Sequence, residues 1–334
     1  MSERAWEDML AEFRALGGTA ENLCLRQGPI GRGLFPVDPS KPLAVRIPDN
    51  LLVDISDVEF SGGKFRVASR SKMGARERSF IETYEAHFSW GEGGYEEIER
   101  IFEQAQALPE DLRRTLKSEY YCGEWFDDVS NELLQHRFLM SRSIRCKDRT
   151  VVMPIVELAN HGLSSSIATK DGVGLQGLFS GEVLVRYADF DAHGMFSTWG
   201  FAFDQPQAFS IALGGIVGKH PVRIDRDLSA VVPGAPFWMP EFSPRDSGAQ
   251  LRFLMIGNKQ YPKHCKSIFI KIMQHLGYSG AEEAFETVQH ANRLHFLDLW
   301  SLLEDVEGLM AHTLRRMTQY QLRAMSYCYG TTAL

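Results

Sequence analysis

The chain has 334 residues, 44% of them hydrophobic and 24% charged, a globular composition with room for one large or two moderate domains. Its formal net charge of −7 argues against a protein built to bind nucleic-acid phosphates, and is compatible with a basic protein partner. No apolar run is long enough to cross a membrane, and the charged, amphipathic N-terminus, with Trp6, Met9, Leu10 and Phe13 on one side, is not a secretory signal. The sequence therefore predicts a cytoplasmic protein that binds neither nucleic acid nor membrane.

The five cysteines are scattered and include no close pair, which excludes a cysteine-rich zinc cluster and a disulfide framework. Free thiols in a reducing compartment are expected. The Asp189–His193 segment is interpreted as a solvated polar loop, and His290 and His295 stand five residues apart, a poor spacing for shared ligation on a helix. We expect no metal.

Strand-like segments dominate the first part of the chain, and helical spacing follows them. Alternation and turn residues predict the early strands and turns: strands at Leu23–Arg26, Leu43–Ile47 and Leu51–Ile55, and a turn at 28–33. Helical spacing predicts four helices: Phe80–His87, Tyr95–Ala107, Pro109–Tyr120 and Glu124–Leu139. Strands return at Thr150–Ile155 and Glu182–Tyr187. We therefore predict an α+β fold whose β-rich body, residues 1–205, carries a helical insert at about 70–140.

Residues 206–334 are expected to form a second, mainly helical lobe. Short strands are predicted at Phe209–Val217, Ser229–Val232 and Gln250–Ile256, with a turn at 233–236. Three helices are predicted after them, at about 261–277, 280–293 and 295–327.

A pair of glycines flanks Arg32 in the first predicted turn, within Gly31-Arg32-Gly33-Leu34. Such a pair either permits a tight hairpin or lets the backbone approach a ligand closely. A dinucleotide-binding loop is disfavoured, because no helix and no third glycine follow at the required positions.

Arg142 lies between Ser141 and Ser143, directly after the helical insert. An arginine at such a position is either a surface charge or a fixed guanidinium that holds a carboxylate through two hydrogen bonds.

Polar residues also close two apolar segments. Asn160 and His161 follow the apolar run that begins at Val151, and the simpler alternative to a ligand-binding pair is a buried histidine with satisfied hydrogen bonds. Tyr187 ends the strand that follows Gly181-Glu182, where a tyrosine commonly packs in the core with its hydroxyl at the rim.

Taken in chain order, these motifs resemble the SET domain. The pattern is Gly-x-Gly-Leu, Ser-Arg-x-aliphatic, Pro followed after five residues by Asn-His, and Gly-Glu-x-x-x-x-Tyr with an aromatic-Gly-Phe downstream. It looks most like the branch typified by the Rubisco large-subunit lysine methyltransferase and the related actin-histidine methyltransferase. The resemblance covers residues 20–205, and residues 206–334 match the helical substrate-binding lobe of that branch by position and texture. It implies small sheets, a pseudoknot in which the Asn-His strand threads a loop, and a methyltransferase that uses S-adenosylmethionine.

The resemblance also implies roles for individual positions. Tyr187 takes the position of the catalytic tyrosine. Cofactor contacts are expected at Gly31, Arg32, Gly33, Arg142, Asn160, His161 and Tyr187. Substrate contacts are expected at Ser141, Ser143, Glu157 and Trp199. The expected product of the cofactor is S-adenosylhomocysteine.

Three positions depart from the family pattern. Trp199 stands where a second tyrosine is frequent, Glu157 stands where aspartate is usual, and Ile30 replaces an acidic residue before the first glycine. Because the second tyrosine helps to shape the acceptor pocket, its loss leaves the acceptor and the number of methyl groups open.

The expected function is N-methylation of a protein side chain, with lysine as the default acceptor and the C-terminal lobe docking a protein substrate. Two alternatives stay open. One is a histidine or small-molecule amine acceptor on the same fold, and the other is a SET-like binding module without turnover.

Overall fold

The protein is represented by a computed structural model, which describes residues 2–29, 31–90, 94–168, 172–228, 239–245 and 248–329. The predicted strand Ser229–Val232, the turn at 233–236 and Ile30 lie outside these residues.

Nine α-helices occur in the described ranges. They are α1 Glu3–Ala15, α2 Ala75–His87, α3 Glu96–Gln106, α4 Glu110–Ser118, α5 Asn131–Arg142, α6 Ala192–Trp199, α7 Pro262–His275, α8 Ala281–Leu303 and α9 Leu309–Tyr329. Four single turns of 3₁₀-helix accompany them: Asp49–Leu51, Ile55–Asp57, Glu124–Phe126 and Val156–Leu158.

The strands are short. They are β1 Thr19–Glu21, β2 Leu23–Gly28, β3 Gly31–Pro36, β4 Leu43–Ile47, β5 Val53–Asp54, β6 Val58–Ser61, β7 Lys64–Val67, β8 Ser143–Cys146, β9 Arg149–Val152, β10 Asn160–His161, β11 Val173–Gly177, β12 Leu184–Val185, β13 Gln207–Phe209, β14 Leu213–Val217, β15 His220–Ile224, β16 Phe242–Arg245, β17 Gly248–Leu251 and β18 Met255–Asn258.

These strands form several sheets of two to four strands instead of one continuous sheet. Two sheets have three strands, in the orders β1-β4-β11 and β5-β9-β8, and one has four, in the order β14-β15-β17-β16. The remaining pairs are β2-β3, β6-β7, β10-β12 and β13-β18. The predicted α+β class with small sheets is therefore confirmed. The threaded loop stays a prediction.

The break between the last two helices was predicted in the wrong place. The sequence suggested a break near residue 294, whereas α8 continues to Leu303 and the chain turns at 304–308. The reason is that α8 keeps its apolar face past residue 294, since Phe296, Leu299 and Leu303 are all fully buried.

The predicted strand Phe209–Val217 is two strands, β13 and β14. Between them the backbone N–H of Ile211 donates to Asn292 Oδ1 at 2.8 Å, and Asn292 Nδ2 donates to Ser210 Oγ at 2.9 Å. The Ser210 N–H still donates to the Leu254 carbonyl, but the Ile211 N–H is bonded to a side chain of α8 instead of a strand neighbour, which ends the ladder.

Two compact units are present. The first contains Met1–Arg100 with Val129–Tyr187, and the second contains Ile101–Asp128 with Ala188–Leu334. The domain boundary that the sequence suggests near residue 205 stays a proposal.

In the first unit, the chain from Met153 to His161 leads into the Asn-His pair that the sequence singles out. Its backbone closes into the 3₁₀ turn Val156–Leu158 and then enters β10, which pairs in parallel with β12. Every residue from Val151 to Ala159 is buried, so the polar groups that follow are held by a rigid, packed segment.

No helix in the described ranges is long and apolar enough to cross a membrane.

The second unit contains a buried histidine that should make stability depend on pH. Burial, and then the charge of Arg226, lower the pKa of His193 to about 3. The unfolded chain binds a proton at an ordinary pKa near 6.5, so it binds more protons than the folded chain between those two values. The free energy of unfolding should therefore fall as the pH drops from 6.5 towards 3, by about 1.4 kcal/mol per pH unit for this residue.

Urea unfolding at pH 7, 6 and 5 measures this slope. His193→Leu should remove the contribution of that side chain, whereas a change at the exposed His312, His312→Gln, should keep the wild-type slope. An equal slope in wild type and His193→Leu would contradict the assignment.

Candidate active site

The glycine pair lies in the hairpin formed by β2 and β3. Gly31 has φ of +121° and pairs with Gly28, and Gly33 pairs with Arg26. The turn predicted at 28–33 is shorter than expected, since Gly31 to Gly33 already belong to β3. Arg32 is anchored away from the hairpin, because its Nη2 donates to the Ser89 carbonyl at 2.8 Å and its guanidinium lies 5.2 Å from the centre of the Trp90 ring.

Two polar side chains approach the backbone closely at Gly33. A Cβ at this position would lie 2.4 Å from Glu182 Oε1 and 2.8 Å from Asn160 Nδ2. Any larger residue would push these groups away from β3. Close approach is therefore the reason for glycine at this position.

Asn160 joins three segments of the chain. Its Nδ2 donates to the Arg32 carbonyl at 3.1 Å and to Glu182 Oε1 at 2.5 Å. The N–H of Val183, next to Glu182, donates to the Leu34 carbonyl at 2.8 Å. The Gly-x-Gly strand, the Asn-His strand and the Gly-Glu segment are therefore hydrogen-bonded to one another.

His161 and Tyr187 form a second contact beside Asn160. The Tyr187 N–H donates to His161 Nδ1 at 3.2 Å, and the two ring centres are 5.0 Å apart. Burial, and then the charge of Arg186, lower the pKa of His161 to about 4, so the imidazole is neutral at pH 7 and its Nδ1 is an acceptor.

The Tyr187 hydroxyl is fixed by the main chain, since it donates to the Ala159 carbonyl at 2.9 Å. Burial, and then the negative charge of Glu157, raise the pKa of Tyr187 above its ordinary value of 10. An ordinary tyrosine is already protonated at pH 7, and this shift keeps the Tyr187 phenol protonated to higher pH. It can orient a ligand through its oxygen, but it is a poor general base.

Arg142 ends α5 as a buried cation, with 4% of its surface exposed. Its Nε lies 3.5 Å from Glu157 Oε2, its guanidinium lies 4.0 Å from the centre of the Phe138 ring, and its Nη1 donates to Ser141 Oγ at 2.9 Å. Its Nε makes no hydrogen bond to the described residues, so the guanidinium retains capacity for a further anion.

Glu157 accepts hydrogen bonds both at its carboxyl group and at its backbone carbonyl. The Tyr84 hydroxyl donates to its Oε1 at 2.8 Å, and the Trp90 indole N–H donates to its backbone carbonyl at 3.1 Å. Burial raises the pKa of the Glu157 carboxyl, and the Arg142 guanidinium opposes this shift.

Glu85 is a second carboxyl beside this pair, and it is fully buried on α2. Burial, and then the negative charge of Glu157, raise the pKa of Glu85 well above its ordinary value. The Glu157 carboxylate thus adds to burial in disfavouring the ionised form of Glu85, and the Arg142 guanidinium opposes both effects.

Sequence reasoning missed Glu85 and Glu182 as site residues. Glu182 stood in the quoted Gly-Glu motif but was assigned no role. Glu85 had a weak signal, since it lies four residues after the buried Ile81 and therefore on the same helix face.

The remaining predicted positions lie as follows. Ser141 Oγ donates to the Phe138 carbonyl at 2.8 Å, and Ser143 begins β8, opposite Val152. Trp199 ends α6 in the second unit, where its ring lies 5.9 Å from that of Phe190 and 6.4 Å from that of Phe201. The described residues contain no group of three His, Cys, Asp or Glu side chains arranged to hold a metal ion.

No family model and no curated protein matches the chain. Several solved structures are similar to the chain. The SET domain of LSMT bound to lysine and AdoHcy has a TM-score of 0.46 and 13% identity, covering 99% of this chain and 91% of that one. Rubisco LSMT bound to AdoMet has a TM-score of 0.42 and 11% identity, covering 97% and 90%. Rubisco LSMT bound to sinefungin and monomethyllysine has a TM-score of 0.41 and 14% identity, covering 99% and 91%.

Proposed function

We propose that the protein is a methyltransferase that uses S-adenosylmethionine to methylate a nitrogen of a protein side chain, with lysine as the acceptor. The observation that carries the proposal is that Arg32, Arg142 and Tyr187, which are distant from one another in the sequence, all contact the segment Glu157–His161, to which Asn160 and His161 belong.

The charges of these residues fit the cofactor. The carboxylate of S-adenosylmethionine matches the positive charge of Arg142, whose guanidinium has N–H donors besides the Nε that faces Glu157. Its ammonium and sulfonium are cations, and the Glu182 carboxylate, held by Asn160, favours positive charge nearby. The close approach at Gly33 lets a ligand reach the backbone of β3. The cofactor, when bound, supplies a methyl group activated by the positive sulfur.

The protein's own task is then to orient the acceptor and to keep it neutral. An amine of pKa about 10.4 has no lone pair while protonated, and burial beside a cation lowers that pKa. The Tyr187 hydroxyl, itself fixed on the Ala159 carbonyl, would orient the lone pair towards the methyl group. Little other chemistry is required of the protein.

Calorimetry with S-adenosylmethionine tests the first part of the proposal. The wild-type protein should bind it, and the absence of binding would reject the enzyme and favour a binding module. The acceptor class is tested with methyl-tritiated S-adenosylmethionine and a lysate. A labelled protein that yields methyllysine after acid hydrolysis supports lysine, whereas methylhistidine, or counts only in the small-molecule fraction, would reject it.

Gly33→Ala should weaken S-adenosylmethionine binding by about tenfold, with a loss of stability of about 1 kcal/mol. The new methyl group would displace the Glu182 carboxylate and the Asn160 amide and so break their hydrogen bond. Calorimetry of the variant measures the affinity. Gly181→Ala is the matched control, because a Cβ there meets nothing within 4 Å, and it should bind as the wild type does. Equal affinities of the two variants would contradict the role of Gly33.

A further inference from the structure

Two cysteines that are distant in the sequence meet in the second unit. Cys265 lies in the first turn of α7 and Cys328 lies in the last turn of α9. The Cys328 thiol donates a hydrogen bond to the Pro262 carbonyl at 3.0 Å, in the turn of α7 that also contains Cys265. The packing of α7 against α9 therefore brings the sulfur of Cys328 to the turn of α7 that contains Cys265.

The two thiols differ in exposure and in acidity. Cys265 has 1% of its surface exposed, whereas Cys328 is only partly buried. The neighbouring Cys265 thiol lowers the pKa of Cys328, and Cys328 in turn raises the pKa of Cys265. Since the thiolate is the nucleophile, reagents in solution should meet Cys328 first.

The other three cysteines lack this combination. Cys122 and Cys146 are fully buried, and burial raises the pKa of the partly buried Cys24. All five cysteines lie within the described residues, and none of them is in a disulfide.

We propose that Cys265 and Cys328 are a thiol-oxidation site, at which a small-molecule disulfide such as glutathione disulfide converts the two thiols into one reversible intramolecular disulfide. This is a modification of the second unit, and it does not depend on the proposed methyltransferase function.

The reaction has two steps. The Cys328 thiolate attacks one sulfur of glutathione disulfide, whose S–S bond breaks, and one glutathione leaves as a thiolate that takes up a proton. The Cys265 thiol then loses its proton, its sulfur attacks the Cys328 sulfur, and the second glutathione leaves. Two protein thiols are oxidised, and one glutathione disulfide is reduced to two glutathione molecules.

The bond would join the first turn of α7 to the end of α9. These two points are about 60 residues apart in the sequence, so the cross-link restricts the unfolded chain more than the folded one. Oxidation should therefore raise the melting temperature by a few degrees, and a reducing agent should reverse the shift.

The test uses the full chain, equilibrated with glutathione disulfide, then denatured and alkylated without reduction. Alkylated thiols should fall from five to three, and peptide mapping should find Cys265 joined to Cys328. Five alkylated thiols, or Cys328 that remains joined to glutathione, would overturn the proposal. This measurement needs no variant and is independent of any effect on folding.

Variants sharpen the test. Cys265→Ser should stop the reaction at the mixed disulfide between Cys328 and glutathione. In Cys328→Ser, the Cys265 thiol should stay reduced and should therefore be alkylated. Cys24→Ser is the matched control, since Cys24 is also partly buried, and it should form the bridge as the wild type does. A bridge that involves Cys24 in the wild type would also overturn the proposal.

Discussion

The Tyr187→Phe variant should bind S-adenosylmethionine like the wild type but transfer methyl groups on the order of 100-fold more slowly. The hydroxyl donates to the Ala159 carbonyl at 2.9 Å and is protonated at pH 7, so its loss removes a fixed oxygen from the site and no charge. The other residues that we propose as cofactor contacts do not depend on it. Stability should fall by about 1 kcal/mol, because the Ala159 carbonyl loses a donor.

Methyl transfer from tritiated S-adenosylmethionine to lysate protein, together with calorimetry, separates these effects. Tyr95→Phe is the matched control, since its hydroxyl lies 3.4 Å from Asn131 Oδ1 and has no proposed role in the reaction. Unchanged turnover in Tyr187→Phe, or an equal loss in Tyr95→Phe, would refute the role of Tyr187.

Arg142→Ala should weaken S-adenosylmethionine binding by at least about 30-fold and lower the free energy of unfolding by about 3–5 kcal/mol. The first effect follows from losing the cation that matches the cofactor carboxylate. The second follows from leaving Glu157 buried without its ion-pair partner, whose Nε lies 3.5 Å away. Urea unfolding measures the stability and calorimetry the affinity.

A double variant separates binding from stability. Arg142→Met with Glu157→Gln removes both charges, so it should recover much of the stability that Arg142→Ala loses while binding stays weak. Arg145→Ala changes an exposed arginine close to Arg142 in the chain and should leave both quantities unchanged. Wild-type affinity in the double variant would show that Arg142 does not hold the cofactor.

Residue spacing was sufficient for much of the secondary structure. The apolar stripe Trp6, Met9, Leu10 and Phe13 of α1 is buried as its spacing predicts, and β4 has the predicted bounds Leu43–Ile47. Residue spacing predicted the wrong element where a tertiary contact replaced a local preference. This happened at 210–212, where the Ile211 N–H donates a hydrogen bond to Asn292 Oδ1. Periodicity gives the face of an element, but it contains no information about which distant side chain will bond its backbone.

The candidate site likewise has features that the sequence determined and features that only the tertiary structure decided. The sequence by itself determined which residue types were present and the order of the Gly-x-Gly, Ser-Arg, Asn-His and Gly-Glu-Tyr motifs, because these are local patterns. Only the tertiary structure decided that Asn160 bonds both Arg32 and Glu182, and that Glu85 stands beside Glu157 and Arg142. The same holds for the approach of Cys328 to the turn of α7 that contains Cys265, which the cysteine spacing gave no reason to expect. Burial and the electrostatic field at a side chain depend on neighbours brought together by folding, so the directions in which the pKa values of Tyr187, His161 and Glu85 shift follow from packing and not from residue type.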